Sequence, residues 1–366
     1  MLSLVMLKAT YQKYTLNFKF DAGTSRGTLK EKDTWFIVVW EDKNSDIRGI
    51  GEAGPLKKLS IDDIEDFDSK LEGVLNKLEG ESLPNTDQEI YDLVSRLVPQ
   101  ELPSVTFGLE TALLDLLHGG VRKMFSNPFF ETSEQIPING LIWMGHTESM
   151  LRQISDKVAA SFDCIKMKIG SLNFDKECDI LDFVRRKYFQ KELILRVDAN
   201  GAFKPEDALT KLNQLSKFNL HSIEQPIKPG QGELMKQLCS TSPVPIALDE
   251  ELIGIHDPNE KRSLLEAILP QYIILKPTLV GGLKASLDWI RIAEELNIGW
   301  WITSALESNI GLNAICQFAS LTRAKGHQGL GTGQLYTNNI GSPLTIDKGY
   351  IHYNDQSNWN LDSVNL

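Results

Sequence analysis

The chain has 366 residues, 42% of them apolar and 24% charged, with a formal net charge of −11. Its length exceeds one average domain, so two are expected. The acidic balance and the lack of a basic run argue against nucleic acid or an anionic membrane as partner, because counterion release needs basic patches, and no apolar run reaches the ~20 residues that span a bilayer.

The first segment, MLSLVMLKAT, has no basic n-region and no small-residue cleavage site, so it reads as a first strand and not as a signal peptide. Residues 3–19 alternate polar and apolar, 34–41 (TWFIVVWE) read as a more buried second strand, and 49–55 (GIGEAGP) as a short third one ending in a turn. A three-stranded antiparallel meander fits. Between the first two strands lies the polar loop Thr24-Ser25-Arg26-Gly27, in which Ser25 and Arg26 are candidates for a lid over a site; a plain hairpin turn is the other reading. From Ser60 the period becomes helical, with Ile61, Ile64, Phe67, Leu71 and Val74 in phase and Ser60 with Asp63 resembling a capping box. Further helices are expected over 86–97 and 103–122.

From residue 134 strands and helices alternate strictly. Strands are expected near 136–142, 163–168, 193–198, 220–224, 244–249, 272–276, 299–303 and 328–331, with helices such as 175–189 and 205–217 between them. Alternation of this kind gives a parallel sheet with right-handed crossovers, and eight strands close into a barrel. The tail after about 340 (SPLTIDKGYIHYN) has strand character and is expected to return to the first domain. The expected domains are thus an α+β unit over 1–125 joined by 340–366, and a barrel over 126–339. Cys164, Cys178, Cys239 and Cys316 form no C-x-x-C pair and read as free thiols of a reducing, cytoplasmic setting.

Six charged residues end successive apolar runs: Lys168, Asp198, Glu224, Asp249, Lys276 and Glu307. The first five are 30, 26, 25 and 27 residues apart, the length of one strand–helix unit. Charge at the carboxyl ends of parallel strands is the sequence form of a barrel active site. Asp198, Glu224 and Asp249 come from three neighbouring strands ~4.8 Å apart, so they can converge on one ion. All-oxygen ligation selects Mg²⁺, or Mn²⁺, and the lack of Cys or His at these ends counts against zinc. One such acid alone would read as a solvated loop residue; three in register do not. Lys166 and Lys168, two apart on one strand, point the same way, and Lys276 faces them across the acids. Two lysines around a metal suit abstraction of a proton next to a carboxylate. Elimination, racemisation and cycloisomerisation all share that first step.

The patterns K-x-K (Lys166 to Lys168), D-A-N (Asp198 to Asn200), E-Q-P (Glu224 to Pro226), D-E (Asp249-Glu250) and the strand-six Lys276 resemble the enolase superfamily. The two-lysine arrangement is similar to its muconate lactonizing enzyme subgroup, since strand seven ends in Thr303-Ser304 without the His base of the mandelate racemase subgroup. The resemblance covers essentially the whole chain. It implies an α/β fold, a modified (β/α)₈ barrel of (β/α)₇β form, with an α+β N-terminal capping domain completed by the C-terminal tail. PINGLIWMG (137–145), SALESNIGL (304–312) and GLGTGQLYTNN (329–339) are similar to a branch of lyases that dehydrate a hydroxycyclohexadiene carboxylate in menaquinone biosynthesis.

The resemblance implies that Lys168 abstracts the α-proton and returns it to the departing hydroxyl. Lys276 stabilises the enediolate as a cation, and Asp198, Glu224 and Asp249 hold Mg²⁺. Lys166, Arg196, Asn200, Glu250 and Glu307 are supporting candidates; Ser304 and the Gly331–Gly333 turn are candidates for the anionic end of the substrate, or ordinary turn residues. The implied partner is a small carboxylate, and a homo-oligomer is compatible with the sequence. The rival is an N-acylamino acid racemase or dipeptide epimerase of the same subgroup. Gly331-Thr332-Gly333-Gln334 lacks the acids with which a dipeptide epimerase grips an ammonium, which disfavours the dipeptide but not the N-acyl amino acid. A Schiff-base aldolase would not need three strand-end acids, and a non-enzymatic barrel has no reason to bury them.

Overall fold

A computed structural model describes residues 5–24, 27–170 and 173–363. Strands β1 (Leu7–Thr24), β2 (Gly27–Glu41) and β3 (Asn44–Ala53) form the expected antiparallel meander, in that order. β1 and β2 run further toward their shared turn than the apolar alternation suggested, because the ladder continues through polar residues to the pair Thr24–Gly27. Ser25 and Arg26, the lid candidates, lie outside the described residues.

Trp35, Ile37 and Val39 of β2 pack into the core with helices α1 (Phe67–Leu78), α2 (Asp87–Leu97) and α3 (Pro103–Leu117). α1 begins seven residues later than the helical period implied. Ser60 Oγ instead accepts from Leu56 N at 2.7 Å and Asp63 from Lys58 N at 2.7 Å. These polar side chains stabilise a turn in place of a capping box. α3 is buried on nearly every side, between the first sheet and the later helices Pro277–Val280 and Gly282–Glu295. Gly51 permits the close approach, since a Cβ there would strike the Gly108 carbonyl.

After β4 (Ile136–Pro137), seven strands form one parallel sheet in sequential order: β5 (Gly140–Ile142), β6 (Cys164–Lys168), β7 (Ile194–Asp198), β8 (Ser222–Glu224), β9 (Ile246–Leu248), β10 (Tyr272–Leu275) and β11 (Gly299–Ile302). The sheet curls until its edges are joined by the segment 328–329, which makes single parallel bridges, Gln328 to Ile138 and Gly329 to Thr303. The eighth strand expected there is reduced to those bridges. Alternation along each strand sends one set of side chains into the barrel and the other under the helices. Leu141, Lys166 and Arg196 are register partners and share the inward set.

The hairpin β12 (Leu344–Asp347) and β13 (Tyr350–Tyr353) pairs through β13 with β4. Beyond it, Trp359 and Leu361 pack beside Phe36, Val38 and Ile50 of the first sheet. All four cysteines are unpaired, three of them buried and Cys178 half-buried. Among the described residues no helix is long and apolar enough to cross a membrane.

Candidate active site

The carboxyl ends of β6 to β10 bring the predicted charges together. Lys166 Nζ bridges two acids, donating to Glu224 and, at 3.0 Å, to Asp198 Oδ2. Lys168 Nζ donates to Asp198 Oδ2 at 3.0 Å and to Asn200 Oδ1 at 2.8 Å. Lys276 Nζ donates to Asp249 and lies 3.9 Å from Glu224 Oε1. Asn200 Nδ2 in turn donates to Glu250 Oε1 at 2.9 Å. The three acids are at most 2% exposed.

Burial alone would discharge Lys166, but the carboxylates of Asp198, Glu224 and Asp249 outweigh it and hold its ammonium above the ordinary lysine range. The same contest, with Asp249, Glu224 and Glu250 as the acids, raises Lys276. Burial would raise Asp198, yet Lys166, Lys168 and Lys276 pull it far below the usual carboxylate range. Glu224 moves the other way. Burial and the charge of Asp198 raise it more than Lys166 and Lys276 lower it.

Lys166, Lys168, Asp198, Asn200, Lys276 and Ser304 line one cavity of about 590 Å³. Its rim includes Gly27 to Leu29 at the β1–β2 end and the 56–59 segment of the first unit, so the meander forms part of the wall. Trp143 and Leu306 contribute apolar surface.

Whether these residues suit a divalent cation depends on the donor set. Three hard carboxylates from adjacent strands are the right chemistry. Glu224 Oε1 is buried without a hydrogen-bond partner, which is the condition of an acceptor awaiting a cation. Among the described residues, however, no three His, Cys, Asp or Glu side chains are grouped closely enough to cage an ion. Lys166 and Lys276 stand between the acids instead. The donor chemistry fits, and the ammonium groups hold the acids in the arrangement described.

Four predicted residues are placed elsewhere. Arg196 does not reach Lys168. It donates to the His327 carbonyl at 2.8 Å and stacks 4.1 Å from the Trp301 ring centre, because it lies two residues deeper on the inward face than Asp198. Glu307 is fully buried and does not line the cavity. It accepts from Ser304 Oγ, Thr278 Oγ1 and, at 2.8 Å, Ala305 N. The chain turns back just before it, with Leu306 at φ 66°. Glu250 sits behind Asn200, outside the cavity lining. Gly333 faces Asn309.

Ser304 lines the cavity, but its hydroxyl is fully engaged. It donates to Glu307 and accepts from Leu306 N at 3.1 Å and from Thr332 Oγ1 at 2.8 Å, and a hydroxyl has one proton and two lone pairs. Sequence reasoning gave no role to Leu141, Asn139 or Thr303, which also line the cavity. Their signal was the inward parity they share with Lys166 or Trp301.

A second carboxylate ties the two units. Glu52, at the end of β3, accepts from Thr34 Oγ1 at 2.8 Å, from Ser308 N and Gly311 N at 2.9 Å each, and from Ser308 Oγ. It thereby serves the first turn of the helix Asn309–Leu321. Glu52→Ala is expected to lower unfolding free energy by about 3 kcal/mol, since it orphans buried donors. Urea denaturation measures this, and an unchanged midpoint would remove Glu52 from the tie.

A parallel barrel with acids on consecutive strand ends, two facing lysines and an antiparallel cap defines the enolase class of acid–base enzymes. The family described as Enolase C-terminal domain-like matches residues 149–357, and the chain belongs to that superfamily. Within it the chain falls among the o-succinylbenzoate synthases. That of Desulfotalea psychrophila is 43% identical, covering 94% of this chain and 98% of its own. The crystal structure of MenC from that bacterium matches with a TM-score of 0.83 at 40% identity, over 95% of this chain and 99% of that one. The N-succinyl-L-Arg/Lys racemase of Bacillus cereus is 22% identical, over 87% and 85% of the two chains.

Proposed function

We infer that the chain removes the α-proton of 2-succinyl-6-hydroxy-2,4-cyclohexadiene-1-carboxylate and eliminates water, giving o-succinylbenzoate for menaquinone biosynthesis. The observation that carries this reading is the pair Lys168 and Lys276 on one cavity with the three acids between them. The resemblance to the D. psychrophila synthase favours it over the racemase or epimerase alternative.

Lys168 Nζ, as the base, takes the proton from the carbon bearing the carboxylate. Asp198 and Asn200, which hold that nitrogen, fix its approach. The freed electron pair enters an enediolate, which the Lys276 ammonium stabilises from the opposite wall. As the ring becomes aromatic, the C6–O bond breaks, and Lys168 returns its proton to the departing oxygen, which leaves as water. Apolar Trp143 and Leu306 keep bulk water from the carbanion. Mg²⁺, or Mn²⁺, held by Asp198, Glu224 and Asp249 would act as a Lewis acid on the substrate carboxylate. Asn200 and Glu250 support Lys168, while Lys166 holds the acids in place. Ser25 and Arg26 retain their proposed place as a lid, and the four free thiols favour a cytoplasmic setting.

Steady-state turnover of that cyclohexadiene carboxylate, followed by its ultraviolet loss, tests the reading. Turnover with kcat/KM of ~10⁴–10⁸ M⁻¹s⁻¹ is expected. Absent turnover, with deuterium exchange into N-succinyl amino acids, would establish the racemase instead.

A further inference from the structure

The reaction centre leaves one wall of the cavity without a function. Inward-facing residues there come from three strands side by side: Asn139 just before β5, Gly329 in the reduced eighth strand, and Thr303 just after β11. Gly329 bridges Thr303, and the Asn139 N–H donates to the Gln328 carbonyl at 3.0 Å. A Cβ at Gly329 would collide with Thr303 Oγ1, so glycine permits the Thr303 side chain to pack across it.

Asn139 is 5% exposed, and its Oδ1 is buried without a hydrogen-bond partner. Its Nδ2 and Thr303 Oγ1 likewise make no hydrogen bond among the described residues. A buried carboxamide left unused is destabilising, and native structures tolerate such groups chiefly where a ligand or water completes them. The two other hydroxyls at this end are not available: Ser304 is saturated, and Thr332 gives its proton to Ser304. Extending the β5–β6 register one residue below Gly140–Ile165 sets Asn139 beside Cys164, below Lys168 on the neighbouring strand. Extending the β10–β11 register one residue past Leu275–Ile302 sets Thr303 beside Lys276, so the pair adjoins the reaction centre on the wall that closes the barrel.

We propose that Asn139 and Thr303, on either side of Gly329, form a neutral hydrogen-bonding subsite that receives the oxygen-bearing end of the substrate's succinyl arm. The inference rests on the proposed function, because it takes its ligand from that reading. The subsite makes these residues determinants of specificity. They select the arm, while the lysines and acids beside them handle the carboxylate whose α-proton is removed.

Calorimetric titration with o-succinylbenzoate and with benzoate, which lacks the arm, tests this on wild type, Asn139→Leu and Thr303→Val. Asn139→Leu should weaken o-succinylbenzoate about tenfold or more and leave benzoate unchanged. Thr303→Val, nearly isosteric and safe for folding, should weaken o-succinylbenzoate by a smaller factor. In turnover, both variants should raise KM more than they lower kcat. Equal o-succinylbenzoate affinity in all three proteins, or equal loss for both ligands, would overturn the subsite alone, provided the wild type turns over its substrate. A wild type that neither makes nor binds o-succinylbenzoate would overturn the proposed function, and the subsite with it.

Discussion

Lys168→Ala is expected to lower turnover by about 10²–10⁴-fold, the range for loss of a positioned general acid–base, while the protein remains folded. Two roles depend on one nitrogen, proton removal and proton return, so the effect belongs at the upper end. The variant should also cease to exchange the α-proton of a non-eliminating analogue with deuterium. That second readout separates loss of the base from loss of the leaving-group acid. Among the described residues Lys168 is held by Asp198 and Asn200, and Asp198 keeps Lys166 as a partner in its absence, so the acid cluster stays neutralised. Near-normal turnover by Lys168→Ala would move the base elsewhere, with Lys276 the next to test.

Chelation of divalent metal should bring activity to background, and Mg²⁺ or Mn²⁺ should restore it. Asp249→Asn should then weaken metal affinity by more than the 10–100-fold seen when outer-shell partners are removed, because a directly ligating charge is lost. Direct titration with Mn²⁺ provides a readout independent of turnover. Full activity in a rigorously metal-free sample would sink the cation, and unchanged affinity in Asp249→Asn would remove that residue from the ligand set. The protein without metal should stay folded, since Lys166 and Lys276 already pair with the three acids.

The regular stride of strand-end charges was legible because each parallel strand delivers its last inward residue to the same mouth, whatever lies between. The meander was read from local alternation, and the shared face of Lys166 and Lys168 from the same two-residue period. Other features depended on contacts that no local pattern encodes. The eighth strand survives as two backbone bridges, so it lacks a run of apolar residues to mark it. Glu307 sits at the expected position in sequence, but the positive φ of Leu306 turns it behind the wall. Arg196 has the parity of Asp198, yet its depth gives it to Trp301 and His327. The start of α1 was misplaced because Ser60 and Asp63 bond backward to Leu56 and Lys58. The unused carboxamide of Asn139 could be recognised only once its neighbours were known.

Glu52 carries an implication for how such enzymes diversify. Its carboxylate belongs to one unit, while three of the four donors it satisfies belong to the other. The meander is therefore not a detachable module that recombination could exchange freely to bring in a new substrate preference. A transplanted cap must arrive with an acid at this position, or the recipient's helix Asn309–Leu321 starts with orphaned amides. New specificities in this lineage should accordingly arise by point changes along the cavity rim and wall, with the join between the units inherited intact.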